Sequence, residues 1–162
     1  MKMTDLDHSN GTYAYLVPDA DSRSKLAGLQ KLFNVPNPVA ENDLHMTLIY
    51  SRKPCPGAEQ AQTEFTPCDA TVPKLGFLPA QNGKQCLVAE IDCADAVSLH
   101  HHIRETHGAS HDYPSYLCHV TLSYDCPSSI RNLHEPVSIR FDRMVVRPLD
   151  PSRQGAGKER AE

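Results

Sequence analysis

One pattern occurs twice in the chain, and this repeat limits the folds that the chain can adopt. His-Met-Thr-Leu stands at residues 45–48 and His-Val-Thr-Leu at residues 119–122, 74 positions later. Tyr50 and Tyr124 follow the two histidines at the same distance. Residues that recur at a fixed offset within matching elements indicate an internal repeat. Two ordinary β-α-β units would not by themselves place the same histidine and threonine at one offset.

The segments around each copy predict a strand, a helix and a second strand, from apolar alternation and helical leucine spacing. In the first half these segments are residues 12–17, 21–33 and 44–51, with a helix N-cap within residues 19–22. In the second half they are residues 85–91, a helix that ends near Gly108 and residues 116–124. Asp92 or Asp95 is expected to cap that helix, and the offset aligns Leu87 with Tyr13.

The remaining segments predict two further strands, at residues 70–78 and 137–146. Asn82-Gly83 indicates a hairpin turn between the first of these and the strand at 85–91. Residues 53–67 are rich in Pro, Gly and Gln and are interpreted as a loop. The expected organisation is a flexible N-terminus at residues 1–10, a single domain at 11–150 and a disordered tail at 151–162.

Composition narrows the class of protein. The chain has 162 residues and a formal charge of −4. A net acidic chain argues against a binder of duplex DNA or long RNA, whose affinity depends on many Lys and Arg contacts to phosphates. The apolar runs are short and the N-terminus is acidic, so neither a membrane span nor a secretory signal is expected. Six cysteines without metal-binding spacing are interpreted as reduced thiols of a cytosolic protein.

The two His-x-Thr motifs carry the candidate chemistry. In a strand, residues i and i+2 point to the same face, so His45 lies beside Thr47 and His119 beside Thr121. If the two halves pair about a pseudo-twofold axis, both imidazoles and both hydroxyls converge in one cleft. Such a set suits phosphodiester cleavage without a metal, because one His removes a proton and the other donates one. The Thr hydroxyls would donate hydrogen bonds to the phosphate oxygens.

Other histidines and cations have simpler interpretations beside the functional ones. A single His-x-Thr would favour a structural or surface histidine, whereas the pair at one offset favours catalysis. The run at residues 100–102, with His107 and His111, suggests either a metal site or a solvated helix face, and the solvated face is favoured because no familiar ligand spacing is completed. Arg52 and Arg147 are candidate phosphate contacts, although such residues are more often surface charges.

Residues 11–150 resemble the 2H phosphoesterase superfamily, whose signature is two His-x-Ser/Thr motifs on strands. Within it, residues 11–13, 36–39, 44–52 and 145–150 look like the phage anti-CBASS proteins. The resemblance implies an α+β, bilobal fold of two pseudo-twofold-related strand–helix–strand halves, with antiparallel sheets around a central cleft. It also implies hydrolysis of cyclic di- or trinucleotides that trigger abortive infection, in the host bacterial cytoplasm and without a cofactor.

The resemblance further implies roles for individual residues. His45 and His119 would be the acid–base pair, with Thr47 and Thr121 as phosphate holders. Tyr13 would stack on a base, although a core tyrosine fits its strand equally well, and Phe77 would supply a second aromatic because the chain has no Trp. The alternatives are an RNA 2′,3′-cyclic phosphodiesterase or 2′–5′ RNA ligase-like enzyme, and a non-catalytic protein that sequesters cyclic nucleotides. Ring size, base preference and oligomeric state stay open.

Overall fold

The computed structural model describes residues 7–80, 83–112, 115–127 and 133–149. Its helices and strands confirm the expected α+β class. In chain order they are β1 (Thr12–Pro18), α1 (Ala20–Leu32), a 3-10 turn (Glu41–Asp43), β2 (Met46–Ser51), α2 (Ala58–Glu64), β3 (Cys68–Pro79), β4 (Gln85–Asp92), α3 (Ala94–His107), β5 (His119–Ser123) and β6 (Val137–Pro148).

The strands pair antiparallel in the closed order β1-β2-β5-β4-β3-β6. A twofold exchange of β1 with β4, β2 with β5 and β6 with β3 maps this order onto itself. The first lobe therefore comprises β6, β1 and β2 with α1, and the second comprises β3, β4 and β5 with α3. The expected bilobal arrangement is confirmed, but the third strand of the first lobe comes from the far end of the domain.

The two lobes meet along two seams of very different strength. At one seam β3 and β6 pair continuously, from Cys68↔Phe141 to Val72↔Val137. At the other, β2 and β5 pair only at Met46↔Val120. Both His-x-Thr motifs lie at this second seam. The structure therefore places the candidate catalytic residues where the sheet is least closed by backbone hydrogen bonds.

The strands at the second seam divide their two faces between the core and the motifs. Met46, Leu48, Val120 and Leu122 are almost fully buried and join one apolar cluster with residues of both long helices. Because alternate residues of a strand point to opposite faces, the histidines and threonines between them lie on the face away from that cluster. Burial of this apolar face, worth about 1.5–3 kcal/mol per large side chain, orients the motifs.

Several predicted ends need correction. Strand β2 begins at Met46, so His45 precedes it, and β5 is shorter than residues 116–124. The prediction that Asp92 or Asp95 caps α3 is wrong, since the N-cap of this helix is Cys93, whose side chain makes no capping hydrogen bond. The cap of α1 is confirmed within the expected residues, as Asp19 accepts a hydrogen bond from the Ser22 amide at 2.8 Å. Helix α3 ends at Gly108 (φ +75°), as predicted.

The segment predicted as a loop at residues 53–67 contains helix α2. Its Ala, Glu and Gln residues are good helix formers, but the flanking prolines and Gly57 obscured them. A side chain of α2 attaches the helix to β6, because Gln62 accepts a hydrogen bond from the Val146 amide at 2.7 Å. Glu59 lies 2.6 Å from Nε2 of His8, which is buried although it belongs to the N-terminal stretch expected to be flexible.

The hairpin between β3 and β4 is antiparallel as expected, and Gly83 at its turn has φ +73°. Asn82 of the predicted turn and the predicted tail at residues 151–162 lie outside the described residues. All six cysteines carry free thiols and are buried. Within the described part of the chain, no helix is long and apolar enough to cross a membrane.

The histidine run at residues 100–102 is only partly on a solvated face. His101 and His102 are exposed, as expected, but His100 is fully buried and the prediction is wrong for it. Its Nδ1 donates a hydrogen bond to the Leu48 carbonyl at 2.8 Å, and its ring stacks on Tyr116 at 4.0 Å. Burial lowers the pKa of His100 to about 4, since removal from water disfavours the charged ring.

This burial predicts a specific loss of stability in acid. An unfolded histidine titrates near pH 6.5, so the contribution of neutral His100 is present above that pH and is lost as the pH falls from about 6.5 to about 4. The loss is on the order of 3 kcal/mol. In urea titrations across this range, His100→Phe should flatten the pH dependence of the unfolding free energy, whereas His102→Phe, an exposed change on the same helix, should not. An unchanged slope in His100→Phe would contradict the assignment.

Candidate active site

Both candidate catalytic histidines are fixed by the same local bond. Nδ1 of His45 lies 2.8 Å from the Asp43 carbonyl, and Nδ1 of His119 lies 2.9 Å from the Leu117 carbonyl. A carbonyl oxygen only accepts, so Nδ1 carries the proton in each ring. In both neutral rings Nε2 is therefore the nitrogen that exchanges protons with a substrate. The tautomer follows from the backbone two residues upstream and is the same in both halves.

The antiparallel register of β2 and β5 brings the two motifs together. Met46 and Val120 face each other across the seam. One residue to either side, the register places Thr47 beside His119 and Thr121 beside His45. Each histidine thus has a threonine two residues along its own strand and another across the seam. This pairing is compatible with two imidazoles and two hydroxyls in one cleft, and their convergence stays a prediction.

Each motif is followed by a β-bulge at the same position. On β2, Ile49 pairs with Ala14 and Thr47 with Tyr15, so Leu48 is the extra residue. On β5, Ser123 pairs with Leu87 and Thr121 with Val88, so Leu122 is the extra residue. The bulges lie 74 residues apart, which agrees with the internal repeat. Tyr15 pairs with Thr47 and Val88 pairs with Thr121, so Tyr15 corresponds to Val88, and the expected match of Tyr13 with Leu87 is wrong by one residue.

The first bulge explains how Tyr50, an odd number of residues after His45, reaches the same side of the sheet. The bulge makes two successive residues, Leu48 and Ile49, face buried surroundings, each 1% exposed. The alternation is thereby shifted by one position. The ring of Tyr50 consequently lies 5.8 Å from that of Tyr13 on the neighbouring strand.

Tyr13, Tyr15 and Tyr50 form a tyrosine cluster around His45. The Tyr13 hydroxyl lies 2.8 Å from Nε2 of His45 and 3.4 Å from the Thr47 hydroxyl. The Tyr15 ring centroid is 5.2 Å from that of His45. Tyr13 itself is only 4% exposed, so it is a buried tyrosine whose hydroxyl reaches the candidate catalytic histidine. Stacking of Tyr13 on a base stays a prediction.

The two predicted cations contact different tyrosines. Arg147 pairs with Tyr13 across β6 and β1, and its guanidinium lies 5.4 Å from the rings of both Tyr13 and Tyr15. Arg52 lies 5.8 Å from the Tyr50 ring, and its Nε is 3.0 Å from a carboxylate oxygen of Asp112. Arg147 therefore supplies positive charge beside the two tyrosines whose rings contact His45, whereas the charge of Arg52 is paired with Asp112.

Phe77, the aromatic residue expected to stack on a base, lies in the second lobe. Phe77 pairs with Leu87 and packs, half-buried, against the core cluster, two strands from His119. The structure therefore does not bring Phe77 and the histidines together, and its stacking role stays a prediction.

Glu90 is a residue that the sequence analysis missed. It lies opposite His119 across β4 and β5, so their side chains share a face. A Cβ at Gly76 of β3 would collide with its carboxylate, so glycine there leaves room for the Glu90 side chain. Lys74 lies 3.8 Å from the other carboxylate oxygen. Alternation along β4 predicts that Glu90 lies on the same face of the sheet as Val88. That Glu90 lies opposite His119 depends on the register between β4 and β5, which the sequence does not show.

The two threonines differ in their surroundings. Thr47 is half-exposed, whereas Thr121 is 4% exposed and its hydroxyl has no hydrogen-bond partner within the described residues. A buried hydroxyl without a partner costs free energy, so such groups commonly mark a site where a ligand completes the bond. A phosphate oxygen at the seam would accept this hydrogen bond. Thr121 thus has the property expected of a phosphate holder.

Comparison with known proteins places the chain in a family. The family model described as anti-CBASS protein Acb1 matches residues 10–155. An anti-CBASS protein Acb1 of Vibrio phage KVP40 is 34% identical over 93% of this chain and 95% of the relative. That of Acinetobacter phage Ac42 is 35% identical over 77% of this chain and 79% of the relative.

Two solved structures share the fold. TT0787 of Thermus thermophilus superimposes with a TM-score of 0.65 at 16% identity, over 87% of this chain and 90% of that protein. Escherichia coli LigT complexed with 3′-AMP gives a TM-score of 0.54 at 15% identity, over 86% and 94%. At these identities the likeness concerns the fold, whereas the phage relatives and the family model concern the chain itself. The chain therefore belongs to the anti-CBASS protein Acb1 family and is a phosphodiesterase with the 2H phosphoesterase fold.

Proposed function

We propose that this phosphodiesterase hydrolyses the 3′,5′ linkages of cyclic di- or trinucleotides in the cytoplasm of an infected bacterium, and so disables CBASS signalling. The observation that supports this most is the pair of histidines with one tautomer on either side of a single strand seam. Sequestration alone would not need two proton-transfer groups. Thr121, with its buried hydroxyl, supplies the hydrogen bond that a bound phosphate would complete.

The reaction follows from the order of proton transfers. One histidine removes the proton of the ribose 2′-hydroxyl, and the resulting oxygen attacks the adjacent phosphorus. The bond from phosphorus to the 5′-oxygen breaks, and the other histidine donates a proton to that oxygen. Hydroxyls of Thr47 and Thr121 donate to the nonbridging oxygens as negative charge grows on them. The first product carries a 2′,3′-cyclic phosphate, and attack of water on its phosphorus, with proton transfer by the same two histidines, opens the ring to a terminal phosphate and completes the hydrolysis; no step requires a metal.

The charge distribution suits a small ligand. The chain is net acidic, yet Arg147 and the tyrosine cluster lie beside His45. Two or three phosphates need only a local set of cations and donors, whereas a long polymer needs a basic surface. Aromatic rings near the cation could hold bases, since base stacking is worth about 1–3 kcal/mol and tolerates different bases.

A product profile tests the proposal. The protein is incubated in EDTA with 3′,3′-cGAMP, cyclic triadenylate and an RNA that ends in a 2′,3′-cyclic phosphate, and products are identified by mass spectrometry. We expect linear products from a cyclic oligonucleotide and none from its 2′-deoxy analogue. Cleavage of the RNA end alone would favour the RNA phosphodiesterase alternative. Tight binding of the cyclic ligands without any product would favour sequestration.

Removal of either imidazole should abolish turnover without abolishing binding. His45→Ala and His119→Ala should each lower kcat by about 10²–10⁴-fold, the usual contribution of a positioned acid or base. Ligand binding, measured by calorimetry, should persist because arginine, tyrosine and threonine contacts remain. His101→Ala, an exposed change on α3, is the control. Comparable turnover in either active-site variant and the wild type would refute the acid–base assignment.

Glu90 predicts which limb of the pH profile reports His119. A carboxylate opposite an imidazole favours its protonated form. Glu90→Gln should therefore move one limb of the kcat/KM profile to lower pH, by up to about one unit. Movement of the alkaline limb identifies His119 as the acid, and movement of the acid limb identifies it as the base.

Lys74 provides the matched control for this measurement. It lies 3.8 Å from the Glu90 carboxylate and offsets part of its charge. Lys74→Met should shift the same limb in the opposite direction, to higher pH. If neither variant moves a limb, Glu90 is not electrostatically coupled to His119.

A further inference from the structure

The carbonyls of the two bulge residues accept hydrogen bonds from side chains of the opposite lobe. Leu48 O of β2 accepts from His100 on α3 at 2.8 Å. Leu122 O of β5 accepts from Gln30 on α1 at 3.0 Å, and from the Val39 amide at 2.9 Å. Leu48 and Leu122 are 1% and 0% exposed, so water does not serve these groups readily. Each long helix therefore ties the motif strand of the other lobe.

A second side chain from the second lobe holds β2 next to His100. The Tyr116 hydroxyl donates to the Thr47 carbonyl at 2.8 Å. The Tyr116 and His100 rings stack with centroids 4.0 Å apart and planes within 7°. His100 and Tyr116, hereafter the cross-lobe clamp, thus bind two successive carbonyls of β2. One of these carbonyls belongs to a candidate catalytic threonine.

The clamp compensates for the weak seam between the motifs. Strands β2 and β5 pair directly only at Met46↔Val120, which leaves the separation of the two histidines loosely defined by backbone bonds. Tyr116 precedes His119 by three residues. Its hydrogen bond to the Thr47 carbonyl therefore connects the segment that leads into the second motif with the first motif. His100 is fully buried and Tyr116 partly buried, so the stacked rings have little rotamer freedom, and hydrogen bonds are stronger where water is excluded.

We propose that His100 and Tyr116 are positioning residues for the phosphodiesterase reaction, which set the first His-x-Thr motif against the second. The inference rests on the proposed function for its kinetic consequence. Neither residue is a catalytic residue, because both contact backbone carbonyls of β2 instead of substrate. Misplacement of reacting groups by about 1 Å can cost about 10²-fold in rate, so a loosened clamp should slow the chemical step.

The kinetic test uses variants that keep an aromatic ring at each position but remove its hydrogen-bond donor. Tyr116→Phe and His100→Phe should lower kcat about ten- to a hundredfold while KM changes by less than about threefold. His100→Asn, which places an amide donor near the position of Nδ1, should recover part of the loss. His102→Phe, an exposed change on the same helix, should match the wild type. Thermal melting establishes that each variant is folded at the assay temperature.

A substrate-free measurement separates this proposal from the proposed function. The imidazole resonances of His45 and His119, followed by NMR, should shift in Tyr116→Phe but not in His102→Phe. Lower melting temperatures with unchanged kcat and unchanged histidine resonances would overturn the proposal and leave the clamp a purely stabilising contact. If the wild type cleaves no cyclic oligonucleotide, the proposed function fails, and the resonances alone decide whether the clamp positions the motif.

Discussion

The single backbone pair Met46↔Val120 is the constraint on which the rest of the site depends. It sets the register that brings the two His-x-Thr motifs together, yet it barely closes the sheet between them. Without this pair the two histidines would have no defined separation. The bulges, the tyrosine cluster and the side chains of the two long helices all act on the position of the motifs at the β2–β5 seam.

Two types of interaction share that task. Local hydrogen bonds from Nδ1 of each histidine to the backbone carbonyl two residues earlier fix the orientation of each ring within its own half. Long-range side-chain bonds, from Gln30 and His100 to the bulge carbonyls, fix one half against the other. The first type repeats with the sequence. The second is equivalent in effect but uses unrelated residues, since Gln30 and His100 do not match at an offset of 74.

The sequence predicts the parts that depend on local pattern. The repeat, both long helices, the strand order within each half and the facing of each histidine with its threonine follow from periodicity and spacing. It does not predict what depends on register or tertiary contact. Helix α2, the burial of His100 and the position of Glu90 opposite His119 all arise from such contacts. The stretch from the outer strand to the motif threonine is one residue longer in the second half, from Val88 to Thr121 against Tyr15 to Thr47, and this displaced the expected match of Tyr13.

The proposed mechanism requires both Nε2 atoms to act on one phosphodiester. A crystal structure with a 2′-deoxy cyclic dinucleotide, which keeps the phosphates but lacks the attacking hydroxyl, would show whether they do. We expect one phosphate at the β2–β5 seam, flanked by Nε2 of His45 and of His119 within about 3.2 Å of its oxygens or of the adjacent 2′-position. A ligand whose phosphates contact only one of the two histidines would contradict it.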